Sequence, residues 1–125
     1  MQRRSIHIDE FAHASPIPNA SRIGNLIASG FIRGTDPATG KLAATLQEQC
    51  ALMFGHMKRC VEKGGGRAED IIKVTIWVEK IDRKPINEEW VKVFPDPESR
   101  PARQVCVMEM EPGVAIQCEF LAVVS

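Results

Sequence analysis

The sequence predicts an α+β layer in the order β-β-β-α-β-α-β-β, with two helices packed on one face of a mixed sheet. Three observations carry this expectation. An apolar stripe at helical spacing runs from Leu46 to Val61, between a capping pattern and three glycines. Ile71 to Glu79 is dense in β-branched residues. Two alternating apolar stretches, Arg103 to Met110 and Val114 to Val124, follow a second short helix. The 125 residues fit one domain, 1–125, long enough to bury a core.

Taken in order, Ser5 to Ile8 reads as a short edge strand, and Ser15-Pro16-Ile17-Pro18-Asn19 as a stiff connector whose prolines oppose helix. Arg22 to Ile32 is apolar extended chain, with Gly24-Asn25 placed to turn a hairpin before Leu26. Gly34 to Gly40 is rich in turn formers and reads as a loop. Thr45-Leu46-Gln47-Glu48 is a capping box that opens the first helix. Leu46, Cys50, Met53, Phe54, Met57 and Val61 fall on its buried stripe, and Gly64-Gly65-Gly66 ends it. In the strand that follows, Ile72, Val74, Ile76 and Val78 share a face by alternation. Pro85 to Phe94 forms the second helix, with Trp90, Val93 and Phe94 on its apolar side, and Pro95-Asp96-Pro97 stops it.

The last two strands are apolar on both faces. Cys106, Met108, Met110, Ile116, Cys118 and Phe120 suit the helix-covered side. The opposite face carries Val105, Val107, Leu121 and Val123, interrupted by Arg103, Glu109, Gln117 and Glu119. Two helices cannot cover both faces, and strands apolar on both sides need cover on both sides. Other copies of the chain are the expected cover, so a homo-oligomer follows.

Sixteen basic and sixteen acidic residues give zero formal charge. That opposes nucleic acid as a partner, which would need clustered Lys and Arg against phosphates. No stretch has the apolar length of a membrane span or a secretory signal, so a cytoplasmic location is expected. Cys50, Cys60, Cys106 and Cys118 form no CxxC and sit in apolar segments, which points to packing roles. His7, His13 and His56 show no ligand spacing, so no metal and no cofactor is called for.

Arg103 is the residue hardest to explain by packing. It follows Arg100-Pro101-Ala102 at the mouth of a strand, where a guanidinium fork suits a carboxylate or phosphate. The plain alternative is that Arg103 and Arg100 pair with surface acids such as Glu98 or Asp96.

Five segments in order resemble the Rid family, also known as the YjgF family. They are Gly24 to Gly30, Asp36 to Gly40, Ala68 to Val78 with Asn87, Arg100 to Arg103, and Cys118 to Ala122. The resemblance covers nearly the whole sequence. It implies a chorismate-mutase-like fold and a homotrimer whose sheets form a central barrel, with three pockets between subunits. It also implies hydrolysis of reactive enamines and imines to ketoacids and ammonia. On that resemblance Arg103 holds the carboxylate of a small metabolite, Ser29 and Gly30 line the pocket, and Asn87 lies nearby. Phe31 is placed at the pocket mouth. Two departures stand out: the sequence contains no tyrosine, and the first of two strand acids of the active branch is Gln117, the second Glu119. A cysteine two residues after the motif arginine is replaced by Val105, with Cys106 one place later.

The leading expectation is therefore an enzyme in which Arg103 grips a carboxylate while Gln117 or Glu119 positions water. An amide can orient water but cannot take its proton. The alternatives are a trimer that binds the metabolite without turning it over, and a ribonuclease, which the balanced charge favours least.

Overall fold

The computed structural model describes residues 1–125 and has the expected α+β architecture. Strands β1 (Arg4–Ile6), β2 (Ala20–Ile23) and β3 (Leu26–Ser29) form an antiparallel meander. Its hairpin turns at Gly24-Asn25, where Gly24 takes φ 57°, a region costly for other residues. Two-residue strands β4 (Ile32–Arg33), β5 (Thr35–Asp36) and β6 (Lys41–Leu42) follow. The segment read as a loop from Gly34 to Gly40 thus contains half of a small β5–β6 hairpin. Turn formers mark where a chain reverses, and two-residue strands are too short to leave an alternation.

Helix α1 (Leu46–Lys63) begins at the anticipated cap: the Glu48 N–H donates to Thr45 Oγ1 at 3.1 Å. Cys50, Met53, Phe54, Met57 and Val61 are buried along it. Its end is closed by Gly64 and by Gly65 at φ 93°, and Arg22 Nη1 donates to the Gly64 carbonyl at 2.7 Å. Strand β7 (Ile71–Val78) runs antiparallel to β9 (Ile116–Val123) and parallel to β8 (Ala102–Val107). Between β7 and β8 lies helix α2 (Arg83–Val93), which starts two residues before Pro85. The main sheet is ordered β1-β2-β3-β9-β7-β8, and β4 also pairs with β9.

Three strand-face assignments from the alternation are corrected. Ile72 does not share a face with Val74: it is 51% exposed, because a bulge between Ile71 and Lys73 turns it outward while Ile71 and Val74 stay buried. In β8 the phase is reversed. Arg103, Val105 and Val107 register with Val74, Ile76 and Val78, whose side chains lie under the helices. Cys106 registers with Trp77, which pairs with Gln117 on the open face. Where both phases of a strand are apolar, alternation alone cannot say which phase faces the helices; the neighbouring strand decides. Finally, β8 stops at Val107, so Met108 and Met110 are not core strand residues.

Cys50, Cys60 and Cys118 are buried in the core cluster, whereas Cys106 is half-buried. Burial pushes the Cys60 thiol up to about 12, and burial together with the nearby Glu89 and Asp82 does the same for Cys50. Burial raises Cys118 as well. Since the thiolate is the nucleophile, a disulfide reagent should modify no more than Cys106 quickly in the native protein, and all four after denaturation. Rapid release of two or more thiols per chain would contradict this packing.

Candidate functional site

Arg103 sits at the sheet edge, sandwiched against α2. Its Nη2 donates to Asn87 Oδ1 at 2.9 Å, and its guanidinium carbon lies 5.0 Å from the centroid of the Trp90 ring. Neither contact neutralises the charge. No carboxylate lies within the 4.0 Å of an ion pair, and Nη1 is buried with no hydrogen-bond partner. Burial, and then repulsion from Arg83, hold the guanidinium below its ordinary value. A buried N–H without an acceptor is costly and is where an incoming anion gains most. Arg100 behaves differently. It pairs with neither Glu98 nor Asp96, and instead Nε donates to the Phe94 carbonyl at 2.8 Å, bracing the end of α2.

The other sequence-derived residues gather elsewhere. Ser29 ends β3 where it parts from β9, and its Oγ accepts from the Phe120 N–H at 2.9 Å. It lines a concavity of about 220 Å³ with Glu119, Lys73 and Thr75. Gln117, 2% exposed, is already engaged: Arg33 Nε donates to its Oε1 at 3.1 Å, and Arg33 Nη1 reaches Glu111 at 3.1 Å. Glu119 is half-buried on the same face and makes no ion pair. Gly30 donates its N–H to the Asn19 carbonyl at 2.9 Å, and Phe31 stands edge-on to Trp77 with centroids 5.0 Å apart. Within one protomer, then, Arg103 and Asn87 form one group, and Ser29, Gly30, Phe31, Gln117 and Glu119 form another across the sheet.

A cavity of about 500 Å³ beside Phe31 adds residues that the sequence did not single out. It is lined by Phe11, His13, Ile17, Phe31, Arg33 and Glu111 among others, and His13 Nε2 is buried there without a partner. Arg33 had a readable signal, an arginine breaking an apolar run just after Ser29-Gly30. His13 had none, because its position depends on how the proline connector folds back.

Sheet order and helix placement are those of the Rid-type scaffold. Residues 8–124 match the family model described as Endoribonuclease L-PSP, and the chain belongs to that family. It is 36% identical over 102 residues to a RutC family protein of Aquifex aeolicus, covering 80% of this chain and 81% of the relative. A RutC family protein of Haemophilus influenzae is 30% identical over 128 residues, covering 98% of each. Among solved structures, a candidate endoribonuclease of Thermotoga maritima superposes with TM-score 0.89 at 29% identity, covering 100% of this chain and 99% of that one. RidA from an Antarctic Psychrobacter superposes with TM-score 0.88 at 22% identity, covering 97% and 99%, and so shares the fold.

Proposed function

We propose that this protein hydrolyses a small carboxylate-bearing enamine or imine to a ketoacid and ammonia, in pockets between copies of the chain. The observation that carries this is Arg103: a half-buried guanidinium aimed by Asn87 and Trp90, with one nitrogen unsatisfied and no acid beside it. Arg103 lies on the helix side of the sheet, while Ser29 and Glu119 line the open face. Only a second copy can bring an Arg103 to that face. The exposed Leu26, Ile72, Leu121 and Val123 give such a copy apolar surface to cover, and the trimer typical of this family supplies the geometry.

Hydrolysis of an already electrophilic C=N bond asks for positioning and charge stabilisation more than for strong base. The partner's Arg103 would hold the carboxylate. Of the two residues offered for the water, Glu119 is the better choice, because it is a carboxylate without an ion pair, whereas Gln117 is an amide whose oxygen Arg33 occupies. Neither cofactor nor metal enters this chemistry. The family description also contains the word endoribonuclease, but equal numbers of acidic and basic residues provide no excess charge to hold RNA.

Titration calorimetry with 2-oxobutanoate tests the anchor. Arg103→Lys keeps the charge but loses the planar fork, and should weaken binding about 10- to 100-fold, equivalent to about 1.5–3 kcal/mol. Arg100→Lys should leave affinity unchanged. Both variants are first checked for trimer mass by sedimentation. Wild-type affinity in Arg103→Lys would overturn the assignment. A second reading, binding without turnover, is favoured by the engaged Gln117. It would be established if wild type binds 2-oxobutanoate yet releases no ketoacid faster than the spontaneous rate from an imine generated in place.

A further inference from the structure

Arg103 is not alone at its end of the sheet. Arg83 opens α2, and Asn87, which accepts from Arg103, lies four residues later on the same helical face. Trp90, stacked under Arg103, continues that face three residues further on. The helix therefore presents Arg83, Asn87 and Trp90 in a row toward the β8 edge. Arg83 is exposed and, like Arg103, has no carboxylate within ion-pair distance. Its charge is close enough to disfavour that of Arg103. Two like charges converging without an acid between them raise the free energy of the unliganded protein. An anion placed across both removes the repulsion and also satisfies Arg103 Nη1.

We infer that the substrate is a dianion, an enamine or imine of a dicarboxylic acid, with its α-carboxylate on Arg103 and its second carboxylate on Arg83. This rests on the carboxylate-binding role of Arg103 proposed above and adds the specificity-determining residue. A monocarboxylate would leave Arg83 unanswered and gain only half of the stabilisation. Lys84, adjacent in sequence but rotated about 100° around the helix, lies off the row.

The test compares monoanionic 2-oxobutanoate with the dianions oxaloacetate and 2-oxoglutarate, which differ in span by one carbon, by calorimetry at fixed ionic strength. Wild type should bind the better dianion about fivefold or more tightly than 2-oxobutanoate, the order expected for one exposed ion pair. Arg83→Gln should abolish that preference, the dianions falling to the affinity that the same variant has for 2-oxobutanoate. Arg100→Gln controls for a general loss of positive charge and should change neither. Equal binding of all three acids by wild type, or a preference that survives Arg83→Gln, overturns the dianion inference and leaves the Arg103 anchor standing. If no acid binds wild type, the anchor and the inference fall together.

Discussion

Replacing Gln49 by alanine is expected to cost about 3 kcal/mol of stability. Gln49 is 2% exposed near the start of α1, and its side-chain amide ties the helix to chain outside it. Its Nε2 donates to the carbonyls of Ala43 at 2.9 Å and Gly113 at 2.8 Å, and its Oε1 accepts from the Ala115 N–H at 3.0 Å. Truncation removes the partner of three backbone groups at a half-buried junction, each costing about 1 kcal/mol, toward the low end of the range for an unpaired group because water can reach them in part. Gln49→Met fills nearly the same volume without the amide, so most of the loss should persist in it. The measurement is the urea midpoint of wild type, Gln49→Ala and Gln49→Met at one protein concentration. Recovery of wild-type stability by methionine would show that volume, and not hydrogen bonding, matters at this position.

The second large effect has the opposite control. A methyl group on Gly34 would collide with the Gln49 Cα and stand 2.5 Å from its carbonyl oxygen, and backbone cannot move aside as a side chain can. Gly34→Ala should therefore destabilise by about 3 kcal/mol, at the upper end of overpacking costs. On Gly55, in the middle of α1 and exposed, the same methyl meets nothing within 4 Å. Gly55→Ala should stabilise by up to about 1 kcal/mol through helix propensity alone. Thermal unfolding of the two variants must move in opposite directions; a shift of the same sign would mean that the contact of Gly34 with α1 is misjudged.

Sequence patterns carried the helices and the sheet membership because those depend on local periodicity. The Thr45 cap, the Leu46-to-Val61 stripe and the glycine end of α1 are all short-range statements, and the structure repeats them. What local pattern could not carry was phase and register. The bulge that expels Ile72 and the pairing that turns Val105 rather than Cys106 toward the helices are properties of neighbouring strands. The same limit applied to the site. Arg103 and Asn87 are sixteen residues apart and meet as grouped from the sequence, whereas Arg103 and Glu119 were grouped together and lie across the sheet from one another. Gly34, read as a turn former, owes its place to close approach by a helix that begins twelve residues later.

The strand order has a consequence for how the chain is made. β9, last of the elements in sequence, lies between β3 and β7 in the sheet. Until it is synthesised, the β1–β3 meander and the β7–β8 pair have no shared neighbour, and each exposes an unpaired edge. The nascent chain can thus form α1 and its local hairpins early, but the sheet closes only when the final strand threads into its middle. Such late, long-range pairing slows folding. It also leaves two open sheet edges during synthesis, the period when a holding chaperone would have most to bind.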